Sequence, residues 1–191
     1  MRATESVPMR LEGHVPGWQV VGDHGQFRTI AATVFAPLAH IGWAAAWLGA
    51  AAGACSRLVG HVRSSDGRRR FDTSSELFLS RLARARGKLE TVNALLRQTV
   101  ALFDDERADL ASPRARILIN VLQVEASESC LQVVDDLVEL AGLQLGYLTD
   151  SPLGLERTLR DLRSASLNYR NDRLLLANGS LALMDSGVSL A

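Results

Sequence analysis

Apolar residues recur through most of this chain at the spacing of a helix. Leu82, Leu89, Val92, Leu96 and Phe103 fall three, four or seven residues apart, which puts them on one stripe of a helix predicted near Glu76 to Asp104. Asp72-Thr73-Ser74 precedes it with short polar side chains suited to capping exposed amides. A second stripe, Ile117, Val121, Val124, Leu131, Val134 and Val138, follows Ser112-Pro113 and predicts a helix to about Ala141. Ser caps there and Pro suits the first helical position. Upstream, Phe35 to Val62 reads as a helix rich in alanine, ended by Ser64-Ser65-Asp66-Gly67. Downstream, Gly142 to Gly154 is a connection, Leu155 to Ser166 a shorter amphipathic helix, and Leu174 to Met184 the last.

The first 24 residues depart from this period. Val7, Met9 and Leu11 alternate with Pro8, Arg10 and Glu12, as in a half-buried strand, and Gln19-Val20-Val21 offers a second short strand after a turn. Two short strands do not make a stable sheet alone, so this segment must lean on something else. The whole predicts an all-α chain: an up-and-down four-helix bundle with extra C-terminal helices and a short N-terminal β appendage. A length of 191 residues suits one domain plus an appendage, divided here at residues 1–25 and 26–191. Aromatic residues are only 5%, so the core is to be built from Leu, Val and Ala, which favours helices over a sandwich.

Charge narrows the function. The 21 basic residues balance 21 acidic ones, and the one basic run is Arg68-Arg69-Arg70, so no broad positive field exists and no nucleic-acid partner is expected. Cys55 and Cys130 sit in apolar helical patterns with neither CxxC spacing nor a His pair, which predicts buried free thiols in a reducing cytoplasm and no metal site. The start, Met1 to Ser6, lacks the basic-then-apolar order of a signal peptide. Thr29 to Ser56 carries no charge and is long enough to cross a bilayer. Pro37, His40 and its many glycines and alanines make it only weakly hydrophobic, so it is read as a helix buried by other helices and no membrane is expected. His40 is expected as a hydrogen-bonded core residue rather than an acid or base. Trp43 and Trp47, four apart, are expected to be helix contacts.

Three stretches carry a family likeness. They are Met1-Arg2-Ala3-Thr4-Glu5-Ser6 with Val15-Pro16, then Arg68-Arg69-Arg70-Phe71-Asp72, then Gly146-Tyr147 with Pro152, Glu156-Arg157 and Arg160-Asp161. In this order they resemble the C-terminal half of acyl-CoA dehydrogenase-like flavoproteins, from the end of the middle β-domain through the helical bundle. The resemblance covers essentially the whole chain but only about half of the family's protein. It implies FAD, an acyl thioester substrate on CoA or a carrier protein, and a homodimer or dimer of dimers. It also implies a missing N-terminal half, supplied by another chain if this one is not simply a truncated product. By the same resemblance Arg68 and Phe71 contact the cofactor of a neighbouring subunit, the guanidinium facing phosphate, and Asn171 lies in the segment beside the flavin. Asp72 stands where the family has Gly.

The catalytic carboxylate of such dehydrogenases commonly lies nine residues after the Arg of the Arg-Asp pair. Counting from Arg160 reaches Tyr169, and no Asp or Glu lies between Thr29 and Ser56, where a minority of the family place the base. No catalytic residue is therefore assigned; Asn168 and Tyr169 are the candidates at that position. Asn168 donates or accepts hydrogen bonds but is no general base. Two further readings stay open: part of a flavin-dependent monooxygenase of the same superfamily, or a non-catalytic assembly subunit. Arg160, Asp161, Arg163 and Asp172 also read as exposed helix ion pairs, and the three arginines as a solvated turn.

Overall fold

In a computed structural model the described residues are 8–168, 170–185 and 187–188, so Met1 to Val7 and Tyr169 lie outside them. The helices are α1 Phe27–Arg63, α2 Gly67–Arg70, α3 Glu76–Asp104, α4 Pro113–Gly142, α5 Leu155–Arg163, α6 Ala165–Asn168 and α7 Asn171–Ala182. The chain is all-α, as its periodicity predicts.

Two of the three long helices, α3 and α4, start on a serine. Ser112 Oγ accepts from the Ala115 amide at 3.3 Å, and Ser75 Oγ accepts from that of Phe78 at 3.4 Å. Ser75 rather than the Asp72-Thr73-Ser74 triplet is thus the cap of α3, while Asp72 accepts from the Ser74 hydroxyl at 2.6 Å and from the Ser74 amide at 3.0 Å. Helix α1 begins at Phe27, two turns before the predicted Phe35, because no breaker lies between Gly25 and Pro37. A π-turn at Ala31–Phe35 precedes Pro37, widening the helix where the proline ring would otherwise press on the preceding turn.

Helix α4 is the hub, with α1, α3, α5 and α7 all packed on it. Helix α1 buries Pro37, His40, Ala44, Trp47, Ala51, Ala54 and Leu58, a strict alternation of three and four. These meet a core of Leu122, Cys130, Val133, Val134 and Leu137 from α4 and Leu89 and Val92 from α3. The alanines let the helix axes come close, and Trp43 and Trp47 stack with ring centroids 6.2 Å apart. The three long helices carry the bundle and short α7 lies on α4 as its fourth member. Cys55 and Cys130 are free and buried, and burial pushes the Cys130 thiol up to about 12.

No N-terminal β appendage is found among the described residues. Described residues 8–26 hold no strand, only a short 3-10 turn at Gly17–Gln19, and Met9, Leu11 and Trp18 stand 78%, 86% and 81% exposed. The alternation there is real, but an isolated pair of short strands has nothing to pair with. By length and composition α1 and the stretch Pro113–Tyr147 could each cross a membrane; the apolar window of the second is half buried in the bundle, as a core helix is, while that of α1 is only 17% buried, less than expected of a helix covered by others.

Candidate functional site

The turn after α1 is built to present α2. Ser64 Oγ donates to the His61 carbonyl at 2.6 Å and accepts from the Gly67 amide at 3.1 Å, which folds the chain back on the end of α1. A Cβ at Gly67 would lie 2.0 Å from the His61 carbonyl oxygen, so only glycine fits. Asp66 then gathers cations, with Arg70 Nε at 3.1 Å and an Arg69 nitrogen at 3.3 Å. Arg68 is left exposed, with no ion pair among the described residues. Phe71 is half-buried, its ring 5.8 Å from that of Phe78 and 6.1 Å, edge-on, from that of His61. That ring locks the turn to α1 and α3.

Beside this turn lies a groove of about 710 Å³ between Arg70, Phe71 and residues 140–145. Its far wall is the end of α4, where Gly142 takes a left-handed φ of 73° and a π-turn at Leu143–Tyr147 follows. Arg70 donates to Gln144 Oε1 at 3.5 Å across it. The groove offers a guanidinium, an aromatic edge, an amide and the 68% exposed Leu143, with Arg68 on the same short helix. Such a set suits a ligand that joins an anionic group to a flat or apolar body. Asp72 stays an exposed anion beside the arginines, since hydrogen bonds from Ser74 hold its carboxyl below the usual range. Arg70, Gly142 and Gln144 were not legible as site residues in the sequence; only the helix-ending glycine gave a signal.

Asn171 belongs to a different place. Its Nδ2 donates to Ser127 Oγ and to Glu128 Oε1, both at 2.9 Å, clasping the start of α7 to the middle of α4. A second clasp, Asn120 to Asn178 at 2.8 Å, holds the other end of α7. The buried Oδ1 of Asn171 has no partner among the described residues. From Ser127 to Leu140 along α4 is roughly 20 Å at 1.5 Å per residue. One copy of the chain therefore does not bring Asn171 to Arg68 and Phe71.

Around the Arg-Asp pair the ionic contacts are ordinary. Arg160 pairs at 3.3 Å with Glu156, whose side chain is 19% exposed, and Arg157 pairs with Asp161 at 3.9 Å on the exposed side of α5. Asn168 closes α6, and Tyr169 lies outside the described residues. The one carboxylate that follows closely, Asp172, is exposed and held ionised by a hydrogen bond from Arg170 at 2.9 Å, which is not how a base poised near neutral pH is held. His40 is 1% exposed; burial lowers its pKa and a hydrogen bond with the Ile119 backbone opposes this. It is a core histidine between α1 and α4.

An antiparallel helical bundle with an arginine-bearing turn between its first two long helices, set against a glycine-ended third, defines a recognisable class of helical domain. Residues 41–169 match the family described as "Acyl-CoA dehydrogenase, C-terminal domain", and the chain belongs to that family. It is also 30% identical over 152 residues to "Isobutyryl-CoA dehydrogenase, mitochondrial" of Dictyostelium discoideum, a match covering 78% of this chain and 34% of that protein. The chain thus spans about one third of the length of the relative it matches.

Proposed function

We propose that residues 26–191 form the C-terminal bundle of a flavin-dependent oxidoreductase acting on an acyl thioester, and that residues 1–25 are the last part of its β-domain. The observation that carries this is the turn at α2, where Arg68 is exposed with no ion pair among the described residues and Arg70, Phe71 and Gln144 line a groove, inside a chain matched to the family over residues 41–169. These residues offer the phosphate-bearing end of FAD one exposed guanidinium, Arg68, and a second, Arg70, that already shares Asp66 and Gln144. When bound, the flavin supplies an acceptor for hydride from the acyl chain. Arg68 and Arg70 would hold phosphate charge, and Phe71 keeps their turn in place. Because Asn171 sits some 20 Å away along α4, a complete pocket takes a second copy of the chain or another polypeptide.

The acyl group is taken to be small and branched only by likeness to the isobutyryl-CoA dehydrogenase relative. The chain offers no carboxylate at residue 169 or between Thr29 and Ser56 to remove an α-proton. This favours a second reading: an assembly subunit whose catalytic base lies in a partner chain. Co-expression with the polypeptide encoded immediately upstream separates the two. Flavin retention and acyl-CoA oxidation in the mixed complex alone supports the split enzyme. Retention of stoichiometric flavin with acyl-CoA turnover by this chain alone overturns the proposal that it is incomplete.

A further inference from the structure

Where α1 meets α2, one carboxylate is shared by three side chains. Asp66 Oδ2 lies 3.1 Å from Arg70 Nε and 3.8 Å from His61 Nε2, while its Oδ1 lies 3.3 Å from an Arg69 nitrogen. His61 Nε2 is buried and has no hydrogen-bond partner among the described residues, and the side chain is only 17% exposed. The Phe71 ring packs edge-on to the imidazole, and Ser64 and Gly67 close on the His61 carbonyl, which keeps the residue against this turn. Other charges on the elements packed round it are engaged elsewhere or exposed. Arg57, one turn back on α1, donates to the Leu153 carbonyl and to Thr158. Asp72 accepts from Ser74, Glu139 of α4 pairs with Arg81, and Arg63 and Glu76 are exposed. Residues 140–145 carry no charge. Asp66 is the one carboxylate paired with His61 among the described residues.

We propose that His61 is a positioning residue for the anion site of the α2 turn: once protonated, it takes Asp66 Oδ2 and releases Arg70 to an oxyanion in the groove. A neutral imidazole leaves Asp66 to the arginines. An imidazolium brings a second cation to the oxygen that Arg70 holds, and its charge-assisted contact competes with the guanidinium. It also adds a positive charge beside Arg68 and Arg70. Both effects have one sign: anion binding strengthens as the pH falls, and by linkage the bound anion favours the proton on His61. Gln144, 3.5 Å from Arg70, marks the side of the groove to which the released guanidinium already reaches. This control rests on the reading of the α2 turn as an anion site and adds to it the proton that governs it.

Sulfate is the probe, because it stays fully ionised over the range in which imidazoles titrate and brings no flavin with it. Its binding is measured by calorimetry at about pH 8 and about pH 6. The proteins are the wild type, His61→Gln, and a His14→Gln/His24→Gln variant, which leaves only His61 and the core His40. Expected is an affinity gain of at least about fivefold at the lower pH for the wild type and the His14/His24 variant, and of less than about twofold for His61→Gln. Proton uptake on binding is expected when the wild-type titration is repeated in buffers of different ionisation heat. Should His61→Gln lose helix content, the His61 imidazole NMR signal in the His14/His24 variant decides, its titration midpoint rising with saturating sulfate. Equal affinity at both pH values, no saturable sulfate binding, a gain that survives in a folded His61→Gln, or a midpoint unmoved by sulfate overturns the proposal. Titration with FAD at one fixed pH reads the cofactor assignment separately: FAD binding beside a pH-indifferent sulfate site overturns the proton control alone, and a pH-dependent sulfate site without FAD binding overturns the cofactor alone.

Discussion

His40, Asn171 and Cys130 show how much of this chain's polar chemistry serves the fold. Burial holds the folded-state pKa of His40 below its ordinary 6.5. The unfolded chain therefore takes up a proton that the folded one refuses. Stability from this site is fully present above about pH 6.5 and falls as the pH drops below it. Urea unfolding between about pH 8 and pH 5 is expected to show that decline in the wild type and a flatter profile in His40→Gln. Asn171→Ala removes both bonds that pin the start of α7 and is expected to cost about 1–3 kcal/mol, with faster amide exchange confined to α7. Cys130, at about 12 and fully buried, is expected to react with a thiol reagent only on unfolding. The sequence placed Asn171 beside the cofactor by resemblance alone. Its bond partners lie 44 and 43 residues earlier in the chain, a proximity that no local pattern encodes.

At the scale of elements, what could be read in advance followed the strength of the local signal. Helices α3 and α4 carry unbroken apolar stripes with a serine before each, and their observed bounds match the expectation to within a residue or so. Ser112→Ala is expected to cost about 1 kcal/mol through the lost cap, read as a lower urea midpoint at unchanged slope. The start of α1 was misjudged because its alanine-rich sequence has no polar cap, and the π-turn before Pro37 lets the helix run on. The strands expected from Val7 to Glu12 and at Gln19 to Val21 are absent among the described residues for the opposite reason: their alternation is genuine, yet a strand is completed by a neighbour. Helix α2 was seen only as a basic run. What orders it is the fit of Gly67 against the His61 carbonyl. Gly67→Ala is expected to displace the Arg68 turn, weakening any ligand held there by tenfold or more while costing a few kcal/mol of stability.

For the molecule as a whole, the family follows from the order of weak motifs along the chain, while the reaction does not follow from it. The scaffold is set by apolar stripes and a close-packed α1 and α4. The open groove is set by α2 and the end of α4, about 70 residues apart in sequence and joined across the bundle end by Arg70 and Gln144. The central claim is that the α2 turn receives the phosphate end of a flavin dinucleotide. Equilibrium titration of the chain with FAD and with riboflavin, for wild type and Arg68→Glu, tests it most directly. The account predicts weak, salt-sensitive binding of FAD, little binding of riboflavin, and loss of the difference in Arg68→Glu. Equal binding of FAD and riboflavin, or FAD binding untouched by Arg68→Glu, would contradict it.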